Sequence, residues 1–382
     1  MTRTNAATSD GTNTKRFIAE RAARIGTSGI RRIFDLGAKL KDPVDLSIGQ
    51  PDFTVPQNIK ASLRGAIDAD RNGYTTTRGI PELRERISQE MAREFDWKPD
   101  VLVTSGVSGG LMLSMIACLN PGDEVLIPDP YFVSYPILIE LAGGVTIKVN
   151  VYDDFHLDVN RFEDAVTPRT KMILLTSPGN PTGVVYRERD VRAICEVARK
   201  HDLLLVSDEI YNMLSYDGPS PSPASFAPER TVVLRGFGKS YALTGWRLGF
   251  AVGPTEIIEQ MAKLQQFTFV CAPHVGQWGG LEAMDTDMTT EVTTYRKRRD
   301  LVCDRLEGVV RFARPSGGFY IFARAPESFE SATVFVEKAI EKNLLMIPGN
   351  VFSNRDTHFR ISYAVKQETL LRGCDIIAEL AR

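Results

Sequence analysis

Cysteine is scarce: the 382 residues hold five, an odd number, widely spaced and with no CxxC pair. That excludes a disulfide framework and a cysteine-ligated zinc site, and it fits a reducing, cytoplasmic setting. The four histidines form no metal-spaced pair, so no metal centre is expected. No apolar run approaches membrane-spanning length. Neither sign of charge dominates, because 46 basic and 48 acidic side chains leave a net charge of −2. Nucleic acid and anionic membrane surfaces are therefore not expected partners. The densest basic run, Arg296-Lys297-Arg298-Arg299, reads as the solvated face of a helix. There is no internal repeat. Residues 1–14 are rich in Thr, Asn and Ala, carry no apolar segment, and read as a disordered tail rather than a signal peptide.

What is present is an ordinary globular composition, 43% hydrophobic and 25% charged, on a chain longer than one core usually spans. Two domains are expected, a large one over 55–287 and a small one from 15–54 with 288–382. The middle of the chain alternates short apolar runs with amphipathic stretches. Runs at 124–127, 171–176, 202–207 and 231–234 read as strands. Residues 187–200 read as a helix with Val191, Ile194, Cys195 and Ala198 on one face. Strands that are apolar throughout imply a sheet covered on both faces, hence α/β layers. A smaller α+β unit follows, with a helix at 292–307 and strand-like runs at 317–322 and 358–363. The segment Gly218-Pro-Ser-Pro-Ser-Pro223 reads as a surface loop.

Three of those strands end in chemically useful groups. Asn180, Asp208 and Lys239 each follow a predicted strand, at intervals of 28 and 31 residues, about one βαβ unit. Ligands in open α/β sheets bind at the carboxyl edge of the strands. Lys239 stands in a glycine-rich turn with Arg247 eight residues on. A lysine that attacks a carbonyl must first lose its proton, which a partly desolvated, electropositive setting promotes. Arg247 offers a planar fork of donors suited to a phosphate. A nucleophilic lysine beside a phosphate-binding arginine points to a cofactor with both an aldehyde and a phosphate, as in pyridoxal 5′-phosphate.

The segment Gly236-Phe-Gly-Lys239-(x)5-Gly245-x-Arg247-Leu-Gly249 resembles the cofactor-attachment signature of class I aminotransferases. Further segments match that family in order: Leu46-Ser-Ile-Gly49, Gly73-Tyr74-Thr, Asn120-Pro-Gly-Asp-Glu124, Ser177-Pro-Gly-Asn180-Pro-Thr-Gly183, Ser207-Asp208-Glu-Ile-Tyr211 and Phe359-Arg360-Ile-Ser-Tyr-Ala364. The resemblance implies fold type I architecture: a large domain with a mostly parallel seven-stranded sheet sandwiched by helices, and a smaller α+β domain. It implies a homodimer using pyridoxal 5′-phosphate to move an amino group from an L-amino acid to a 2-oxo acid, such as 2-oxoglutarate, by a ping-pong mechanism.

By the same resemblance Lys239, Asp208 and Tyr211 are catalytic. Lys239 would hold the cofactor and shuttle a proton. Asp208 would pair with the pyridine nitrogen, Tyr211 and Asn180 with the ring's phenolic oxygen, and Phe132 would stack on the ring, with Tyr131 as its substitute. Val107, Ser108 and Gly109, in a glycine-rich turn before a helix expected at about 111–119, would meet the phosphate with Arg247. Tyr74 would reach the phosphate of the neighbouring subunit. Arg360, Gly49 and Asn180 would receive the substrate carboxylate. A lyase or synthase on the same fold is the alternative. A nicotinamide dehydrogenase is disfavoured, since Gly106-Val-Ser-Gly109-Gly110 is not GxGxxG.

Some positions depart from the family pattern. Gly236, Gly238 and Gly179 stand where Ser, Ser and Asn are frequent. Ser108 and Ile30 stand where aspartate-specific relatives place Lys and Thr, so a clamp for a second carboxylate is not evident. Arg31 or Arg32 could supply that charge.

Overall fold

Runs that are apolar at every position can be satisfied only between two layers, and the strands here are built that way. The computed structural model describes residues 14–26, 29–38, 40–152 and 154–382, without the side chains of Ile30, Arg31, Arg32 and Phe34. The tail expected at 1–14 therefore lies outside the described residues, apart from Thr14. The strands are β1 (Val44–Asp45), β2 (Asp100–Thr104), β3 (Glu124–Asp129), β4 (Val145–Asn150), β5 (Thr170–Thr176), β6 (Leu204–Asp208), β7 (Thr231–Gly236), β8 (Gly249–Gly253), β9 (Tyr320–Arg324), β10 (Leu344–Leu345), β11 (Ile347–Pro348) and β12 (His358–Ser362).

Seven of them form one sheet in the order β2-β8-β7-β6-β5-β3-β4. Only β8 is reversed, pairing antiparallel with both β2 and β7; the other pairs are parallel. Alternate residues of each strand feed opposite cores. Met172, Leu174, Val206, Val232 and Leu234 pack on the face covered by the helix Gly106–Cys118. Ile173, Leu175 and Leu205 pack on the other face, against Val191, Ile194, Cys195 and Ala198 of the helix Glu188–Lys200. That helix has the periodicity read from the sequence, Glu188 and Asp190 in its first turn and Arg199 and Lys200 in its last, which complements its dipole. Burying each of its larger apolar side chains contributes roughly 1.5–3 kcal/mol.

The smaller domain has a three-stranded antiparallel sheet, β11-β12-β9, packed on the long helix Thr289–Leu306 and the helix Gln367–Leu380 through Phe319, Ile321, Phe359 and Ile361. The short pair β1 and β10 brings the region before residue 50 onto this domain.

Four sequence readings need correction. The helix expected from 111 begins at Gly106, because Gly106 takes a positive φ of 69° and turns the chain directly out of β2. The strand expected from 317 begins at Tyr320; Gly317 makes only an isolated bridge with Ser215. The basic run is not wholly solvated: Arg299 is buried, donating to Asp217 at 2.8 Å and to the Pro315 carbonyl at 3.0 Å. The proline-rich loop is exposed at Gly218 and Pro219, but Ser222 and Pro223 turn inward, where Ser222 donates to Glu209.

Candidate active site

The carboxyl ends of β2, β3, β5, β6 and β7 surround a cleft of about 430 Å³. Of the residues expected at a site, Gly49, Val107, Ser108, Phe132, Asn180, Asp208, Tyr211, Lys239, Arg247 and Arg360 all line it. Two do not. Gly109 is in the first turn of its helix, where an added Cβ would meet Ser105 at 3.3 Å, so it could serve the cleft only through its backbone N–H. Tyr74 is 84% exposed on the outer surface. Phe132 faces the cleft, whereas Tyr131 lies under the Lys148 ammonium, 4.9 Å from its ring centre.

Lys239 follows β7 in the short helical turn Phe237–Ser240. Its Nζ donates to the Gly49 carbonyl, a neutral acceptor. Burial, then the nearby Arg360 and Arg247 cations, bring its pKa down to about 8. Asp208 ends β6. Its Oδ2 accepts from the Tyr135 hydroxyl at 2.8 Å and its Oδ1 from the Ile210 N–H at 3.2 Å. Both donors are neutral, and burial pushes the carboxyl up to about 6. A lysine and an aspartate displaced toward neutrality in one cleft mark a proton-handling centre.

Arg360 on β12 is 1% exposed and crosses the cleft from the smaller domain. Its Nη1 donates to Asn180 Oδ1 at 2.9 Å and its Nη2 to the Ser47 carbonyl at 3.0 Å, leaving its buried Nε with no partner. A buried guanidinium with an unused donor suits a carboxylate. Gly49 leaves room there, since a Cβ would come within 2.7 Å of the Tyr320 hydroxyl. At the opposite end, Gly106 opens its helix against Arg247: a Cβ at Gly106 would lie 2.9 Å from the Arg247 Nη2. Free N–H groups, the helix dipole and a guanidinium thus meet at one point, which suits a phosphate dianion. The donor set fits an aldehyde- and phosphate-bearing cofactor with an amino acid beyond it.

Sequence reading missed two tyrosines. Tyr135 stands three residues after Phe132 and supports Asp208. Tyr320 pairs its hydroxyl with that of Tyr211 at 3.1 Å and lies under the Arg360 guanidinium, 4.4 Å from its ring centre. Their order along the chain carries no signal of this, because the contacts join β6 to distant elements. Arg31 and Arg32, candidates for a second carboxylate, have side chains outside the described residues.

This sheet, with a lysine and a buried carboxylate at its carboxyl edge, defines an enzyme of fold type I. The model of the family described as aminotransferase class I and II matches residues 41–377. A probable aspartate aminotransferase of Methanocaldococcus jannaschii is 36% identical, covering 95% of this chain and 100% of that one. An aromatic-amino-acid aminotransferase of Thermococcus litoralis is 34% identical, covering 94% and 96%. The solved aspartate aminotransferase of Thermus thermophilus with maleate superposes with a TM-score of 0.92 at 34% identity, covering 95% of this chain and 99% of that one. The chain belongs to aminotransferase class I and II, and it is an aminotransferase.

Proposed function

We propose that this aminotransferase uses pyridoxal 5′-phosphate to move an amino group from an L-amino acid to a 2-oxo acid, 2-oxoglutarate among the acceptors, in two alternating half-reactions. When bound, the cofactor supplies an aldehyde to take the amino group and an electron-poor ring to accept charge from the substrate Cα. Lys239 would hold it and would carry the proton at the substrate Cα. Asp208 holds the proton of the pyridine nitrogen; Tyr135 keeps that carboxylate in place. Tyr211 and Asn180 bind the phenolic oxygen, and Phe132 stacks on the ring. The N–H groups of Val107, Ser108 and Gly109, with Arg247, bind the phosphate. Arg360 grips the substrate carboxylate beside Gly49, with Asn180 orienting its guanidinium.

The observation that carries this reading is that Lys239 and Asp208 share one cleft, displaced to about 8 and about 6, with Arg360 lining the same cleft and its Nε without a partner. We propose further that two copies form the working unit and that Tyr74 completes the neighbour's phosphate site. Tyr74 lies outside its own cleft, and the exposed Phe267, Phe269 and Val270, between Gln265 and His274, which bond Thr77 and Gly73, add apolar surface that a second copy would cover. The division into a small domain, 15–54 with 288–382, and a large one, 55–287, is supported by the pairing of β1 with β10. The five free cysteines suit a cytoplasmic setting.

The test is the visible spectrum of the cofactor-loaded protein, titrated with single L-amino acids in the absence of a 2-oxo acid. Loss of the cofactor band with one donor, restored by 2-oxoglutarate, is expected. Release of pyruvate or ammonia without any 2-oxo acid would instead place the enzyme among the lyases.

A further inference from the structure

We infer that Gln265 and Gln277 are positioning residues for the neighbouring subunit's active site, holding the 73–79 segment in the conformation that presents Tyr74 across the dimer. The inference rests on the reading that Tyr74 acts across the dimer.

Both glutamines are fully buried, at 0% exposure, and neither lines the cleft. A buried amide costs free energy unless its hydrogen bonds are met, and an apolar side chain would serve packing alone more cheaply; both amide nitrogens and the Gln277 oxygen are bonded, while the Gln265 Oε1 has no partner. Their bonds converge on one stretch of chain. Gln277 accepts the Ile80 N–H at 2.8 Å, donates to the Ala272 carbonyl at 2.9 Å and reaches Thr75 Oγ1 at 3.3 Å. Gln265 donates to the Thr77 carbonyl at 2.7 Å and to the Val103 carbonyl of β2 at 2.9 Å. From the solvent side, His274 Nδ1 lies 2.9 Å from the Gly73 carbonyl.

Residues 73–79 have no helix or strand of their own, and beyond the turn that joins Thr76 and Gly79 their backbone groups need partners from elsewhere. Residues 73, 75, 77 and 80 are each tied to one of these three side chains. Tyr74, in their midst, projects free. Gly79 seals the arrangement: at φ 102°, a Cβ there would meet Val103 at 2.4 Å and the Gln277 Oε1 at 3.0 Å. The segment is thus anchored at alternate points, and its Arg78 pairs with Asp100 at 2.6 Å, while its one aromatic side chain is left unsupported by its own subunit. That is what a residue delivered to a second copy requires.

Mixed dimers, purified through two tags after co-expression, test this. One subunit carries Gln277→Met and the other Lys239→Ala. The Gln277→Met homodimer should lose on the order of 10–100-fold in kcat/KM, as expected for a displaced contact group, and bind pyridoxal 5′-phosphate roughly ten-fold more weakly. The Lys239→Ala homodimer should be inactive. In the mixed dimer one site joins an intact Lys239 to an intact 73–79 segment, so turnover should recover to about half of wild type per dimer. The mixed apo-dimer should show one tight and one weak cofactor site. No recovery over the Gln277→Met homodimer would overturn the inference, because a purely internal packing role cannot be rescued from the other subunit. A Tyr74→Phe and Lys239→Ala mixed dimer separates the two failures. If that pair also fails to recover, the reading that Tyr74 crosses the dimer falls; if it alone recovers, only the role of Gln277 falls. His274→Ala, on the surface, gives the same pairing with the core intact should Gln277→Met not fold.

Discussion

The two faces of the β6–β7 junction treat charge in opposite ways. On the cleft face, Asp208 and Lys239 bond only to neutral groups, and burial moves each toward its uncharged form. On the other face Glu209, the residue after Asp208, and Arg235, four residues before Lys239, pair at 2.8 Å, and Arg235 also meets both oxygens of Glu94 at 2.6 Å. Ser207 and Ser222 take up the remaining Glu209 oxygen. Burial alone would lower the Arg235 pKa, but the two carboxylates more than offset it and hold the guanidinium charged. The same two strands therefore carry a fully paired ionic cluster behind and an unpaired acid and base in front. Paired buried charges lock geometry; charges left short of partners remain able to exchange protons.

The contrast can be broken at several points. The largest effect is expected from Lys239→Ala, which should lower turnover by at least about 10⁴-fold, since both the attachment point and the proton carrier are removed; single-turnover kinetics with an L-amino acid would show it. On the other face, Arg235→Met leaves Glu209 buried and uncompensated and should cost about 3–5 kcal/mol of stability. Urea unfolding measures that, and an unchanged midpoint would mean that the cluster does not clamp the strands.

The front face should respond with the opposite sign. The folded-state pKa of Lys239 lies below its unfolded value, so its burial costs stability at neutral pH, and the cost vanishes as pH rises from about 8 to 10.5. Lys239→Met should accordingly stabilise the apoprotein at pH 7 by about 3 kcal/mol, a gain that disappears by about pH 10.5 in parallel urea titrations. Asp208 is displaced in the other direction, from 3.8 to about 6, so its cost is present above about pH 6 and fades as pH falls to 3.8. Asp208→Asn should be worth slightly less, up to about 3 kcal/mol at pH 7, and nothing near pH 3.8. A substitution that abolishes turnover while raising stability would set the front of the junction apart from the back.

Much of this was legible in the chain before folding. Asn180, Asp208 and Lys239 each follow an apolar run, and β strand order then brings them to one edge, so spacing alone pointed to the cleft. Arg360 was legible only through its family motif, because it arrives from the smaller domain. Tyr135 and Tyr320 carried no local mark at all. The helix start was misplaced by five residues because glycines at 106, 109 and 110 lower helix propensity, while the positive φ of Gly106 and the tight fit against Arg247 favour an early start. Arg299 looked solvated because a basic run gives no hint that Asp217 and the Pro315 carbonyl wait beneath one of its members.

The sequence by itself determined the sheet, the family and the candidate reacting groups, since these follow from local apolar patterning and from motifs that are continuous in the chain. Only the tertiary structure decided which charges are paired and which are not. Glu209 and Arg235 are neighbours in sequence to Asp208 and Gly236, yet strand alternation sends them to the far face and into a closed ionic cluster. It likewise decided that Tyr74 stands outside its own cleft while Gln265 and Gln277 bond the backbone at Thr77 and Ile80 after it. Desolvation and hydrogen bonding depend on what surrounds a group in space, and that information is distributed over the whole chain.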